Sequence, residues 1–305
     1  MTGRTVVIGD ALIDELRDDT GVREFVGGAA LNVAVGLSRL GVPTTLIAMV
    51  GDDEAGSHIR SYLSDFGVDL IATVGPNGSS RAVSTRSGAG EPVYEFNEAA
   101  QRRRVDFGDA ERSAIADADI VVVSCFPFDD PAQTDELARA VRDGRTPLAI
   151  DPNPRSGMLS SRSGFVRGFE SLLADAALVK VGEDDAQLLY RAPLHVLRDR
   201  LIELGVPVVL ATEGAAGASI EAGEVIVTHP ISDLPGPIID TMGAGDAAFA
   251  AVVATGVSGW PEDDESWGAA LARAMDVAAA TCRFEGALLR LPDALVAPDL
   301  DKLGT

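Results

Sequence analysis

Cysteine is scarce. Cys125 and Cys282 are the only two in 305 residues and lie far apart, which argues against a disulfide framework or a cysteine-based zinc site and fits a reducing compartment. Of the 25 basic residues only Lys180 and Lys302 are lysine, and neither follows a glycine or precedes Ser or Thr. A Walker A phosphate loop is therefore excluded. Long apolar runs are also missing. The most apolar stretch, residues 247–257, falls short of the roughly 18 residues of a membrane span and reads as a helix apolar on every side, hence buried. The first twenty residues turn acidic after a short apolar run, unlike a secretory signal, so the expected location is cytoplasmic, away from any membrane. Positive charge is short as well: 25 Lys plus Arg against 47 Asp plus Glu give a net charge of −22. Such a chain repels a nucleic-acid backbone, and Arg102, Arg103 and Arg104 form too short a cluster to offset it. A solvated patch is the favoured reading of that triplet, with attraction of an acid sugar or phosphate the other.

What is present is a composition able to build a large core, with 46% hydrophobic and 24% charged residues. Short β-branched or apolar runs at residues 5–8, 44–50, 120–124, 148–150, 177–181 and 206–211 alternate with helical periodicity at 28–40, 54–66 and 131–141. This alternation predicts an α/β fold: one doubly wound, mostly parallel sheet sandwiched by helices, spanning 1–305 as a single domain. Residues 11–26 and 79–97 break the rhythm with short extended segments separated by turn residues. They are expected to pair with each other as a small β-sheet lid, with two ordinary surface hairpins as the plainer alternative.

The sharpest chemical signal is the run Asp240, Thr241, Met242, Gly243, Ala244, Gly245, Asp246, expected between a short strand at 237–239 and the apolar helix. Two glycines allow consecutive amides to point into one concavity, to which the helix start adds unpaired donors and its positive dipole end. That makes an anion hole. A carboxylate at its mouth repels a permanently bound phosphate, but suits a transient one if Asp246 accepts the proton of an attacking hydroxyl while Gly243, Ala244 and Gly245 hold the phosphoryl charge. The plain alternative, an acid favoured in a first helical turn, fits an isolated Asp better than one framed by glycines. Gly243, Gly245 and Ala248 also match a loose dinucleotide fingerprint, but no following strand completes a βαβ unit.

The run Asp240 to Asp246 resembles the signature of the PfkB, or ribokinase-like, carbohydrate kinase family, and the likeness covers most of the chain. Gly9, Asp10 and Asp14, then Gly27, Gly28 and Asn32, resemble its sugar-binding half. The resemblance implies that Asp14, Gly27, Gly28 and Asn32 hold substrate hydroxyls, in agreement with the capacity of a carboxylate to accept two hydroxyl protons and of an amide to donate and accept. Asp151, Asn153 and Arg155 resemble the D-x-N-x-R of fructokinase-like and ketodeoxygluconate kinase-like members, which implies Asn153 near the phosphates and Arg155 near substrate or nucleotide. Taken alone, this stretch is a turn. Lys180, Gly182 and Asp185 occupy the place of the N-x-x-E motif that organises magnesium and phosphates, with Gly for Asn and Asp for Glu. Glu183 or Asp184 are possible substitutes for Asp185. Thr212, Gly214 and Gly217 resemble the T-x-G-x-x-G turn of the ATP site. Residues 278–287, with Asp240, are expected to border the adenine pocket and a monovalent-cation site.

The expected activity is transfer of the ATP γ-phosphoryl group, with Mg2+ and K+ as cofactors, to a hydroxyl of fructose or a related hexose. 2-Keto-3-deoxygluconate is the next acceptor, then ribose or a nucleoside, with Arg81, Tyr94, Phe96 and Asn97 of the lid deciding. A non-catalytic nucleotide or sugar sensor is the reading of another class, and a homodimer through the lid the expected assembly.

Overall fold

The computed structural model describes residues 3–18, 21–85 and 93–295. Its strands are β1 (Thr5–Gly9), β2 (Leu12–Asp18), β3 (Gly21–Gly27), β4 (Thr44–Val50), β5 (Asp69–Val74), β6 (Ser80–Thr85), β7 (Val93–Phe96), β8 (Ile120–Ser124), β9 (Leu148–Asp151), β10 (Ala176–Gly182), β11 (Val208–Thr212), β12 (Ala218–Ala222) and β13 (Val225–His229). One nine-stranded sheet has the order β13-β12-β11-β10-β9-β8-β1-β4-β5. Every pairing from β11 across to β5 is parallel, and β12 and β13 close one edge as an antiparallel hairpin.

The apolar runs of β1 and β8 are buried along their whole length. Val7 and Leu46 enter one core layer, with the helices Ala29–Arg39, Ala244–Val257 and Asp264–Thr281, while Val6, Ile8 and Ile47 enter the other, with Pro131–Gly144, Arg162–Glu170 and Leu194–Glu203. A strand covered on both faces has no solvent side, which is why these runs lack polar alternation. The helix Ala244–Val257 is the innermost of its layer, as its apolar circumference requires. It packs closely on Ala29–Arg39: a Cβ added at Gly36 would come within 3.1 Å of Ala250 Cβ. Among the described residues no helix is long and apolar enough to cross a membrane.

The two irregular insertions pair with each other in a separate four-stranded sheet of order β3-β2-β6-β7. β2 runs parallel to β6, and the outer strands are antiparallel to their neighbours. β2 leaves directly from the carboxyl end of β1 and β3 leads into the helix Ala29–Arg39, so this sheet is tethered at the carboxyl edge of the large one. Phe96 fastens it there: a Cβ at Gly157, beyond the end of β9, would lie 2.5 Å from the Phe96 ring. The glycine-rich turn expected between β6 and β7 lies outside the described residues. The strand expected at 237–239 is a correction, because these residues are irregular. Pro235 and Pro237 remove two ladder donors, and the Ile239 amide donates instead to the Cys282 carbonyl.

Candidate active site

The loop before the innermost helix is held from both sides. The Asp240 carboxylate accepts from the Met242 amide at 3.0 Å and from the Gly286 amide at 3.1 Å, while the Asp240 amide joins Ile239 on the Cys282 carbonyl. Asp240 thus meets the segment 278–287 as expected. Gly243 then turns into the left-handed region with φ 74°, where a Cβ would stand 2.7 Å from Ala287. Only glycine fits that turn, which aims the first amides of the helix Ala244–Val257 out of its end. The Ala244 amide makes a long bond of 3.3 Å to the Thr241 carbonyl.

Asp246 occupies the first turn of this helix and is 8% exposed. It accepts a hydrogen bond from Asn32 Nδ2 at 2.8 Å, across a gap of 214 residues in sequence. Burial pushes its carboxyl above the ordinary carboxylate range, against the Asn32 bond and the charges of Lys180 and Arg155. Asp14, on β2, is half-buried and close enough to Asp10 and Asp246 to feel their charges. Burial, with the negative charges of Asp10 and Asp246, pushes it up to about 7. Arg155 opposes this shift, and remains open to solvent over part of its length.

The glycine pair is tightly packed. A Cβ at Gly27 would strike the Asp14 carboxylate at 2.3 Å, and one at Gly28, whose φ is 110°, would meet the Asp10 backbone at 2.9 Å. Gly27 leaves room for the Asp14 carboxylate, and Gly28 lets the chain pack against the Asp10 backbone. Asp10, which sequence reasoning left without a role, is 6% exposed and accepts from the Ala30 amide at 3.0 Å, capping the head of the helix that carries Asn32. Its signal was an acid directly after a buried strand. The strand ends around it are strained: Cys125 after β8 and Asn153 after β9 have φ of 50° and 39°. Non-glycine residues in this region cluster at functional sites.

Lys180, near the end of β10, donates to Asp151 Oδ2 at 3.1 Å, with both side chains buried. Asp185 is buried, and its Oδ2 accepts from the Gly182 amide at 2.7 Å. Burial pushes its carboxyl up to about 6, partly countered by the Lys180 charge. Glu183 and Asp184 are exposed, so Asp185 is the inward acid of the three. Thr212 lies beside this bend, its Oγ1 3.2 Å from the position of a Cβ at Gly182. Gly214 opens the turn between β11 and β12 and faces Glu183. Gly217 closes that turn, where a Cβ would collide with the His229 carbonyl at 2.1 Å, and this packing accounts for its glycine.

The arginine triplet divides. Arg102 and Arg104 are on the surface, beside Glu98 and Asp106. Arg103 is 9% exposed, and its guanidinium donates to the carbonyls of Cys125 at 3.1 Å, Ala100 at 3.4 Å and Met158 at 3.5 Å. The solvated reading therefore fails for the central residue, because three carbonyls converging from separate segments need a buried donor fork. Nothing in the local sequence distinguishes Arg103 from its neighbours.

Residues 4–294 match the family model described as pfkB family carbohydrate kinase. Among relatives, the chain is 24% identical over 301 residues to the ATP-dependent 6-phosphofructokinase of Thermoanaerobacterium thermosaccharolyticum, covering 94% of this chain and 90% of that one. It is 26% identical over 302 residues to the fructokinase of Klebsiella pneumoniae, covering 96% and 97%. Among solved structures, the fructokinase of Xylella fastidiosa with bound ATP superposes with a TM-score of 0.80 at 21% identity, covering 97% of this chain and 98% of that one. With a glycine-turned loop heading a buried helix, a buried acid in its first turn and a family match over nearly its whole length, the chain belongs to the pfkB family of carbohydrate kinases and is a sugar phosphotransferase.

Proposed function

We propose that the chain transfers the γ-phosphoryl group of ATP to a hydroxyl of fructose or a related hexose, with Asp246 as general base. The observation that carries this reading is the placement of Asp246. It is a buried carboxylate at the head of an apolar helix, fixed by Asn32 from the sugar-binding half and adjacent to the anion loop. In the step, the Asp246 carboxylate takes the hydroxyl proton as the acceptor oxygen bonds to the γ-phosphorus. The bond from phosphorus to the β,γ-bridging oxygen breaks, and ADP leaves with its electron pair. The amides of Gly243, Ala244 and Gly245 face the charge spread over the equatorial oxygens.

Asp14, Asn32 and the backbone at Gly27 and Gly28 hold the acceptor hydroxyls, with Gly27 leaving room for the Asp14 carboxylate. Asn153, Lys180, Thr212 and Gly214 border the phosphates, with Gly217 shaping the turn and Gly182 anchoring Asp185. Among the described residues no group of three or more His, Cys, Asp or Glu is set to hold a metal ion. Asp185 is the one buried acid suited to face a magnesium ion that takes most of its ligands from phosphate and water. Bound magnesium supplies charge neutralisation to the phosphates. Asp240 and the carbonyls of 278–287 are assigned to a potassium ion. The small sheet acts as a lid that excludes water as a competing acceptor, and its β3 edge, where Val22 is 61% exposed, is assigned to a homodimer.

A sugar acid is the second reading, favoured by Arg155, which keeps part of its length open beside the acceptor carboxylates. A phosphorylated acceptor is less well served, since Arg81 of β6 is already paired with Glu24 at 2.6 Å and Glu15 at 3.5 Å. Coupled detection of ADP over fructose, 2-keto-3-deoxygluconate, ribose and adenosine, with mass analysis of the product, tests the assignment. Phosphofructose as the best product supports it. ATP binding without ADP release from any of them would instead identify a sensor.

A further inference from the structure

The Lys180 ammonium stands at the head of the innermost helix, where the negative charges of Asp151, Asp185 and Asp246 favour it. It is buried, and it lies against the bare α-carbon of Gly245, where a Cβ would sit 3.4 Å from Nζ. Gly245 is in the first turn of a helix, the positive end of its dipole. Two sources of positive field therefore meet at one spot, set among the carboxylates of Asp151, Asp185 and Asp246. Asp151 holds the lysine there at 3.1 Å, although this carboxylate is fully buried and its other oxygen, Oδ1, has no hydrogen-bond partner among the described residues. A pair whose only role was mutual neutralisation would gain from full hydrogen bonding and from distance to the helix head.

Building on the kinase reading, we propose that Asp151 is a positioning residue, whose carboxylate pins the Lys180 ammonium beside Gly245 so that its remaining N–H donors meet the γ-phosphoryl oxygens. An ammonium has three donors, and Asp151 takes one. The flexible lysine stem is then fixed before ATP arrives, and the anion loop gains a point charge that reorganises little during transfer. β9 and β10 are adjacent parallel strands, so the pair is set by the sheet itself.

Isothermal titration of the full chain with AMP-PNP and with ADP, each with magnesium, tests this without needing the acceptor, because only AMP-PNP carries the γ group. Lys180→Met and Asp151→Asn are each expected to weaken AMP-PNP about tenfold or more and ADP less than about threefold, as for loss of one partner of a desolvated charge pair. The double variant is expected to be no weaker than Lys180→Met alone. Asp151→Glu keeps the charge but moves it by one methylene. It is expected to weaken AMP-PNP selectively by about threefold, and it serves in place of Asp151→Asn if that variant fails to fold. Equal losses for both nucleotides, additive losses in the double variant, or no loss on changing Asp151 would overturn the positioning role. Wild-type chain that binds neither nucleotide would refute the kinase reading itself, and this proposal with it.

Discussion

A carboxyl group placed in a poorly hydrated pocket with two others resists ionisation, and Asp14 is the case here. Burial and the charges of Asp10 and Asp246 bring it to about 7, so its charged, hydroxyl-accepting form is only part of the population near neutrality. kcat/KM for the sugar is therefore expected to rise with pH between about 6 and 8, and Asp14→Asn to lower it and flatten that rise. A pH profile of both proteins measures this. Stability moves the opposite way. Because the folded pKa lies above the unfolded value, the folded chain holds a proton that the unfolded chain has lost between about 4 and about 7, so stability falls as pH rises through that window. Asp14→Asn is expected to raise the melting temperature of the ligand-free protein by a few degrees at pH 8 and by little at pH 4, checked by calorimetry at both values. Asp246 was marked in sequence by the glycines at 243 and 245, and Asp14 and Asn32 by the motif they form with Gly27 and Gly28. The partners of Asp10, Asp151 and Arg103 were not marked, because they are a helix head, a neighbouring strand and three carbonyls of which two are far away in sequence.

Elements were legible where one physical signal dominated. β4 and β8 are largely apolar runs in the interior of a two-sided sheet, and their expected limits coincide with the observed ones. The extent of β5 was not marked: as the sheet's edge strand it is only partly buried, and its pattern is correspondingly weak. Residues 237–239 carried β-branched side chains but also the prolines that keep them out of a ladder. The anion loop depends on one backbone turn, so Gly243→Ala forces a side chain into the left-handed region and against Ala287. This substitution is expected to cost about 1–3 kcal/mol of stability and, by displacing the helix-head amides, to lower kcat about a hundredfold. Denaturant titration and steady-state kinetics separate the two effects.

At the scale of the whole molecule, a net charge of −22 opposes the approach of ATP, so capture rests on local donors rather than on long-range steering. Raising ionic strength from about 20 to about 200 mM is expected to lower KM for ATP, since screening weakens repulsion before it weakens buried contacts. A rise in KM over that range would show that local basic groups dominate the approach. The small sheet meets the body through Phe96 on Gly157, and closure there is expected to protect the phosphoryl group from water. Phe96→Ala should therefore raise ATP hydrolysis relative to sugar phosphorylation, read as the ratio of ADP to sugar phosphate.

The account depends most on proton removal by the buried acid at the head of the innermost helix. Asp246→Asn keeps the shape of that side chain while removing its basicity, so steady-state kinetics with ATP and the accepted sugar tests the claim most directly. A fall in kcat of about a thousandfold or more, with KM for ATP within about threefold of the wild type, is the predicted result. Near-normal kcat in this variant would contradict it.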